Sequence, residues 1–407
     1  MARFGNFKVM NNAGDILFDV LSRLPTKTLL EMRFVSKAWH RLILDRSFVQ
    51  AQFQKCGLAL SGFMFQEKYR KCPIDISTFT YMPIDADSKV QKMVFGFLPE
   101  DVVILQSCNG LVCCRSCFRT QHSTTHSTTI YVCNPLFKKW VSFEVAQLDS
   151  FSSIALAFDP ILDPVNTATN FKVVRIQQLE NEQEEMYYTF EIYSSETGTW
   201  KESSEVCYSD GNLLKNNGTY AKGVLHWLTD TDQILAFDTE KELSLLVPSP
   251  IPALEMFIDA PGTCIGESKG LLHFIMICED GIIVWCLDDY FEAKWTLKHS
   301  KQLQMIEDEN PNMFFKLYKI MQRKRLPGME PYMDPWAFKD EVLLMRVFST
   351  VYFYHIETGK VVEVCNVASL GPNAFVSPPV IPYSLSLIPL DVSLSRSDPN
   401  NTNPNEN

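Results

Sequence analysis

The sequence contains no run of about 18 apolar residues, the length a helix needs to cross a membrane. Its opening stretch, MARFGNFKVMNNAGD, also lacks the continuous apolar core of a secretory signal. The chain has 37 Lys and Arg against 48 Asp and Glu, and its net charge is −11. We therefore expect a cytoplasmic or nuclear protein that binds neither membranes nor nucleic acid. A small basic cluster does not reverse this and is interpreted as a solvated loop rather than a nuclear signal: Lys319, Arg323, Lys324 and Arg325.

Motifs for catalysis or cofactor binding are scarce. There is no P-loop, no dinucleotide fingerprint, no H-E-x-x-H and no conspicuous pair of carboxylates, so we expect no cofactor. Residues 266–270, GESKG, match the G-x-S-x-G nucleophile elbow, which requires a helix after the serine. The residues that follow, LLHFIMIC, predict a strand instead. A turn between strands is therefore the preferred interpretation of this motif.

One group of residues has the spacing of a zinc knuckle: Cys114, Cys117, His122 and His126. Leu111 to Cys114 predicts a strand, along which residues three apart point to opposite faces. We therefore favour buried thiols followed by a polar loop over a metal site. The twelve cysteines are predicted to be reduced thiols, and His226 and His273 to be packed strand histidines rather than acid–base groups.

Residues 14–54 have a helical pattern. Asp15 lies where an acid favours a first turn, Pro25 ends the first helix, and Thr26 and Ser36 are predicted N-caps of a second and a third helix. A further turn contains Phe48. The segment carries a dozen large apolar side chains, more than about 40 residues can bury by themselves. Leaving four of them exposed would forgo roughly 6–12 kcal/mol, so either the rest of the chain or another protein must cover them.

From about residue 58 onward the pattern is that of an all-β domain, with short β-branched and aromatic runs between turn residues. The segment GVLHW at 223–227 is repeated 47 residues later as GLLHF at 270–274. Weaker copies place repeated units near residues 60, 107, 154, 218, 264 and 337. A four-residue strand, a polar turn and an apolar or Trp position also recur at 130–140, 190–200 and 351–361.

Units that cannot bury both faces alone are stabilised by stacking around an axis, which predicts a β-propeller of about six blades. The apolar stretch at 380–390 is predicted to supply the strand that closes the ring against an early one. Four tryptophans are predicted in the blade cores: Trp140, Trp200, Trp227 and Trp295. The apolar-poor tail at 391–407 is predicted to be disordered.

The sequence resembles a known family at two places. Residues 16–43, ILFDVLSRLPTKTLLEMRFVSKAWHRLI, look like an F-box, through Leu24-Pro25, Leu29-Leu30 and Val35-Ser36-Lys37 followed by Trp39. Residues 107–114, SCNGLVCC, with 130–140, IYVCNPLFKKW, are similar to the start of the F-box-associated, kelch-like propeller of plant F-box proteins. One departure is that Ala13-Gly14-Asp15 stands where F-boxes usually have Leu-Pro and an acid.

The resemblance implies an α+β multidomain protein with a three-helix F-box at 12–54, a propeller at 58–390 and a tail at 391–407. It implies a non-catalytic substrate receptor of an SCF-type ubiquitin ligase, which binds a Skp-type adaptor and, through it, cullin and RING subunits. The expected adaptor-binding residues are Leu17, Leu21, Leu24, Pro25, Leu29, Leu30 and Val35, with Trp39 at the rim or in the helical core. The sequence does not indicate which protein is the target or which residues bind it. A non-degradative propeller scaffold and a propeller hydrolase remain as alternatives.

Overall fold

The computed structural model describes residues 13–67, 77–85, 89–117, 127–146, 148, 152–161, 169–209, 211–214, 218–251, 257–323, 329, 331–371 and 380–390. The predicted disordered tail at 391–407 lies outside these residues. Across the part of the chain that is described, no helix is both long enough and apolar enough to span a bilayer.

The N-terminal region contains four helices where the sequence analysis predicted three. They are α1 Ala13–Leu21, α2 Thr26–Met32, α3 Lys37–Ile43 and α4 Arg46–Cys56. The predicted cap of α3 is confirmed, because the Ser36 hydroxyl accepts a hydrogen bond from the Trp39 backbone N–H at 3.1 Å. The predicted cap of α2 is wrong by one residue. Pro25 occupies the N-cap position without a side-chain bond, and Thr26 is the first helical residue.

The fourth helix has ordinary start and stop signals. The Asp45 carboxylate accepts hydrogen bonds from the backbone N–H groups of Ser47 and Phe48, which satisfies donors that a helix start leaves free. Gly57 ends the helix at a φ of 65°, a conformation that glycine adopts readily. What the sequence analysis treated as a further turn is therefore an eleven-residue helix.

Strands make up most of the remaining described residues. The first twelve are β1 Leu60–Gln66, β2 Phe79–Pro83, β3 Gln91–Met93, β4 Val102–Cys108, β5 Leu111–Ser116, β6 Ser127–Asn134, β7 Lys139–Ala146, β8 Ser153–Ala157, β9 Lys172–Glu180, β10 Met186–Ser194, β11 Thr199–Tyr208 and β12 Thr219–Ala221. The next are β13 Val224–Leu228, β14 Gln233–Asp238, β15 Leu243–Pro248, β16 Gly262–Ser268, β17 Leu271–Ile277, β18 Gly281–Asp289 and β19 Lys294–Gln302. Helices α5 Leu303–Glu309 and α6 Leu317–Met321 then precede β20 Met333–Lys339, β21 Val342–Val347, β22 Thr350–His355, β23 Val361–Asn366 and β24 Val380–Ser384.

The strands form five sheets. Four of them have four strands, in the orders β24-β1-β2-β3, β4-β5-β6-β7, β11-β10-β9-β8 and β12-β13-β14-β15. The fifth has eight strands, in the order β19-β18-β17-β16-β20-β21-β22-β23. Neighbours within these sheets are antiparallel, except that β16 and β20 pair in parallel over two residue pairs.

The first strands of the successive meanders surround a common axis. In ring order, β24 contacts β4, β4 contacts β8, β8 contacts β12, β12 contacts β16, β16 contacts β20, and β20 contacts β24. The ring closes because β24 pairs with β1, which brings Phe65 opposite Val380 and Met64 opposite Ile381. The predicted closure by the late apolar stretch is confirmed, and the architecture is a β-propeller.

Two-residue turns join the first and second strands at four equivalent places. Positive φ at both residues, as a type I′ hairpin turn requires, is found in Asn109-Gly110, Lys222-Gly223, Lys269-Gly270 and Asp340-Glu341. The 47-residue repeat is therefore confirmed, since it superimposes the turns before β13 and β17. Ser268 of the G-x-S-x-G match is the last residue of β16 and is followed by a strand, not by a helix.

The tryptophan prediction is correct for Trp227, which is fully buried, and wrong for Trp140, which is exposed, while Trp200 and Trp295 are partly buried at the edge of their cores. Trp140, Trp200 and Trp295 lie on β7, β11 and β19, which are the outermost strands of their units. The indole N–H of Trp200 donates to the Glu144 carbonyl on β7 at 2.8 Å, and that of Trp295 donates to the Pro248 carbonyl on β15 at 3.0 Å. These two aromatics therefore connect the rims of neighbouring units.

Ring closure can be tested with two glycines in equivalent turns. Gly110 and Gly223 have φ values of 85° and 90°, but an added Cβ would lie 2.0 Å from Ser386 Cβ at position 110 and meet nothing within 4 Å at position 223. We expect Gly223→Ala to lower the free energy of unfolding by about 1–2 kcal/mol, through backbone strain alone. Gly110→Ala should cost about 1–3 kcal/mol more, because it also displaces the closing segment. Denaturant unfolding of the full-length chain measures both, and equal losses would contradict the contact with Ser386.

Candidate functional site

The N-terminal helices bury one face in the chain itself. Leu21, Leu29 and Ile43 belong to one apolar cluster with Leu387 and Ile388 of the closing segment. Helix α4 holds α1 in place, since Lys55 Nζ donates to both Asp19 Oδ1 and Ser22 Oγ at 2.7 Å. The rings of Phe18 and Phe48 meet edge to face at 5.3 Å. These contacts fix α1 to α4 and pack the helical layer against the closing segment.

The structure distributes the sequence-predicted adaptor-binding residues over three environments. Leu21 and Leu29 are buried in the chain's own core, and their role in adaptor binding stays a prediction. Leu17, Leu24, Leu30 and Trp39 are partly buried and pack against the same cluster. Pro25 and Val35 are exposed. Helical periodicity identified an apolar face, but it does not reveal whether the chain itself covers that face.

Four large apolar side chains of the helical layer remain at least half exposed. They are Ile16 at 53%, Val20 at 53%, Phe34 at 75% and Val35 at 66%. Ile16 and Val20 are one helical turn apart on α1, opposite the buried Leu21 side, and Phe34 and Val35 follow α2. We call these four residues the open face. The sequence analysis named only Val35 among them as a docking residue.

The helical layer packs on one end of the propeller. Gln50 Nε2 donates to the Ile161 carbonyl at 3.3 Å and Arg46 contacts Thr169 Oγ1 at 3.4 Å, both in the connection between β8 and β9. Lys27 pairs with Asp85 in the connection between β2 and β3. The β8–β9 connection joins the first and second strands of its unit, and the β2–β3 connection joins the third and fourth strands of another. Because neighbouring strands are antiparallel, both connections lie at the same end of the ring.

The propeller axis contains a small cavity of about 100 Å³, lined by residues of the innermost strands that include Gln106, Tyr220, Glu267 and Lys339. Lys339 and Glu267 form an ion pair there. Burial acts to lower the pKa of Lys339, but the carboxylates of Glu267 and Asp340 outweigh it and raise that pKa. The charges of the cavity are therefore largely neutralised within the chain.

The eleven cysteines of the described residues form no disulfide bond with one another, and eight of them are buried. Burial raises the pKa of Cys108 to about 12 and also raises the pKa values of Cys113 and Cys114, which keeps these thiols protonated at neutral pH. Among the described residues no three or more His, Cys, Asp or Glu side chains cluster as metal ligands. His122 and His126 of the predicted zinc spacing lie outside those residues.

Both repeated histidines are packed strand residues, as predicted. His226 is fully buried, with Nδ1 3.0 Å from the Thr219 carbonyl and Nε2 2.9 Å from the Tyr290 hydroxyl. Burial lowers the pKa of His226 to about 4 and also lowers the pKa of His273. Ser268 is buried too, and its hydroxyl donates to Glu341 at 3.1 Å. Ser268 of the G-x-S-x-G match is therefore a buried strand residue whose hydroxyl is paired within the chain.

A helical motif with an open apolar face, seated on a β-propeller, defines the class of F-box propeller proteins, and comparisons with known proteins agree. Residues 15–50 match the F-box domain, and residues 90–317 match the family described as F-box protein At3g26010-like, beta-propeller. The chain belongs to this family of F-box proteins. The resemblance noted in the sequence is thereby confirmed.

Curated relatives from Arabidopsis thaliana are named as F-box proteins. F-box protein At5g07610 is 26% identical, over 75% of this chain and 74% of the relative. F-box protein At5g49610 is 22% identical over 74% and 81%, and the putative F-box/kelch-repeat protein At3g17540 is 24% identical over 69% and 70%. Among solved structures, the propeller domain of the Trilobed protease from Pyrococcus furiosus aligns at 10% identity and a TM-score of 0.37, over 78% of this chain and 79% of that one. This likeness is too low to carry an argument.

The buried environment of His226 predicts a pH dependence of stability. The pKa of its imidazole is 6.5 in the unfolded chain and about 4 in the folded one. As the pH falls from 6.5 towards 4, the unfolded chain takes up a proton that the folded chain does not, so stability is full above pH 6.5 and is progressively lost below it. The total loss from this group is roughly 3 kcal/mol at most. In denaturant titrations between pH 7.5 and pH 5, His226→Gln should flatten the decline. An unchanged slope would contradict the assignment.

Proposed function

We propose that this protein is a substrate receptor of an SCF-type ubiquitin ligase. The N-terminal helices dock on a Skp-type adaptor, which links them to cullin and RING subunits, and the propeller binds a target protein for ubiquitination and degradation. The observation that carries the proposal is the open face, an unpaired apolar surface on an F-box whose opposite side already packs on the propeller. We also propose that the protein acts in the cytoplasm or the nucleus.

The size of the open face supports an adaptor interface. Fully burying one large apolar side chain is worth about 1.5–3 kcal/mol, so covering the exposed parts of Ile16, Val20, Phe34 and Val35 would contribute on the order of 4–7 kcal/mol before the cost of association. Arg33 lies beside them, with its guanidinium carbon 4.7 Å from the Phe34 ring centre. Its Nε is buried and makes no hydrogen bond with any described residue.

The proposed docking surface therefore consists of the open face together with the exposed Pro25. Leu17, Leu24, Leu30 and Trp39 are proposed to support it from below, through the core they share with the propeller. The domain limits of 12–54 and 58–390 remain predictions.

We also propose that the propeller has six blades. The eight-stranded sheet is counted as two blades because it consists of two antiparallel four-stranded halves. The halves join where β16 and β20 touch at the axis, at the pairs Gly266 with Phe338 and Glu267 with Lys339. A Cβ at Gly266 would lie 2.1 Å from the Phe338 carbonyl oxygen, so the glycine permits this close approach. The two strands therefore meet as the innermost strands of neighbouring blades.

The proposed role requires no covalent chemistry by this chain. A receptor accelerates ubiquitin transfer by holding the target near the charged conjugating enzyme at raised effective concentration. The protonated thiols, the buried Ser268 and the neutral His226 are consistent with a non-catalytic subunit.

The adaptor interface is tested by placing charge on the open face. We expect Val20→Asp with Val35→Asp to abolish recovery of a purified Skp-type adaptor and cullin in a pull-down, because a charge at an apolar interface centre costs about 2 kcal/mol or more per site. Both residues are exposed, so the thermal midpoint should not change. The matched control is Leu243→Asp on β15, outside the helical layer, where the side chain is 56% exposed.

Recovery of the adaptor by the double variant at wild-type levels would reject this docking surface. If the wild-type chain itself recovers neither adaptor nor cullin, the receptor proposal fails and the non-degradative scaffold is favoured.

A further inference from the structure

A helical hairpin interrupts the propeller between β19 and β20. Helices α5 and α6 contact each other and lie within residues 303–321. Their inner side packs on the propeller through buried apolar side chains: Leu303, Ile306, Phe314 and Leu317. The hairpin is thus an ordered part of the fold, although the repeating strand pattern does not need it.

The outer side of the hairpin is apolar as well, and it is uncovered. Its exposed side chains are Met305, Met313, Phe315 and Tyr318, with Phe315 at 70% exposure. Methionine and aromatic residues are enriched at protein interfaces, and a methionine-rich surface adapts to the shape of a partner. Several such residues on one short hairpin form a patch rather than the scattered exposure that is normal for a surface.

Internal contacts hold this patch in one shape. The Glu307 carboxylate on α5 accepts hydrogen bonds from the backbone N–H groups of Lys316 and Tyr318, at 2.8 and 2.9 Å. The Leu303 N–H donates to the Asp280 carbonyl in the connection between β17 and β18 at 3.0 Å. A surface that is ordered before binding loses less conformational entropy when a partner docks.

Three cations lie along the second half of the hairpin. Lys316 Nζ lies 4.7 Å from the Phe315 ring centre, and Lys319 and Arg323 are exposed one and two turns further on. Within the described part of the chain these three cations pair with no carboxylate, whereas the Glu307 carboxylate is used by backbone donors and Glu309 pairs with Lys301. Asp308 is the remaining exposed acid of α5. A basic rim on a chain of net charge −11 favours an acidic partner.

Chain topology places the hairpin away from the F-box. Gln322 Nε2 donates to the Glu279 carbonyl at 3.2 Å, so the hairpin sits beside the connection between a second and a third strand. The N-terminal helices contact connections between first and second or third and fourth strands, which lie at the other end of the ring. An adaptor bound to the open face therefore leaves the hairpin accessible.

We propose that the outer side of the α5–α6 hairpin docks an acidic segment of the target protein that carries apolar side chains. The apolar side chains of the segment cover Met305, Met313, Phe315 and Tyr318, and its carboxylates face Lys316, Lys319 and Arg323. This inference rests on the proposed receptor function and assigns the class of target sequence. Sequence analysis treated Lys319 and Arg323 as part of a solvated loop, whereas Lys319 lies on α6 and Arg323 follows its end.

The proposal is tested by direct binding of synthetic peptides to the full-length chain in complex with its adaptor. Three labelled peptide pools share the same Leu, Met and Phe positions and differ in flanking residues, which are Asp/Glu, Ser/Gln or Lys/Arg. Fluorescence anisotropy should show the acidic pool binding about tenfold or more tightly than the neutral pool. Phe315→Ser should weaken acidic-pool binding about tenfold, since an aromatic at the centre of an interface carries much of its affinity.

A charge reversal, Lys319→Glu with Arg323→Glu, supplies a readout that misfolding cannot mimic, because the preference should move from the acidic pool to the basic one. The matched control is Phe291→Ser, which removes an even more exposed aromatic, at 92%, from the connection between β18 and β19 at the F-box end. It should leave peptide binding unchanged. Equal binding of the three pools, or an acidic preference that survives both hairpin variants, overturns the proposal. Adaptor recovery in the same samples separates that failure from failure of the receptor function.

Discussion

The pairing of β24 with β1 holds the last and the first strands of the propeller together. It joins residues 324 positions apart, as in the hydrogen bond from the Leu385 N–H to Ser61 Oγ, and it completes the ring of innermost strands. The chain then continues from this strand beneath the N-terminal helices. Asn134 Nδ2 donates to the carbonyls of Ser386 and Ile388, at 3.2 and 2.8 Å, which fixes that path. The segment that closes the propeller is therefore also the floor of the helical layer.

This shared floor explains how a short helical motif is stable while it keeps an apolar surface open. Leu21 and Leu29 gain a core from the propeller and the closing segment, so the helices do not need a partner protein in order to pack. Ile16 and Val20 then stay available on the other side of α1. Because the inner face secures the helices, the outer face can be used entirely for association. The open face and the propeller therefore share one rigid base.

The even number of strands in each meander separates two kinds of connection. Turns between first and second or third and fourth strands lie at one end of the ring, while turns between second and third strands and the links to the next unit lie at the other. The helical layer contacts the first end at Ile161 and Thr169, and the α5–α6 hairpin occupies the second end at Asp280. The helical layer and the hairpin therefore lie at opposite ends of the propeller.

Features that depend on neighbouring residues could be predicted from the amino-acid sequence. Ser36 caps α3, Asn109-Gly110 and its repeats form tight hairpin turns, and alternating β-branched runs form strands, because each depends on the conformational preferences and hydrogen bonds of a few adjacent residues. Local patterns also predicted that a helical motif precedes a β-propeller along the chain. Even the closing role of residues 380–390 could be inferred, since an apolar strand without a local partner needs a distant one.

Which apolar residues face the chain and which face solvent depends on contacts between distant parts of the sequence, so it could not be predicted. Leu21 and Val20 are neighbours with similar side chains, yet one is sealed and the other is 53% exposed, because the propeller covers one side of α1 alone. Trp200 and Trp295 likewise connect the rims of neighbouring units, because their partners come from another sheet. Periodicity shows that a face is apolar, but what covers it is set by contacts between residues far apart in the sequence.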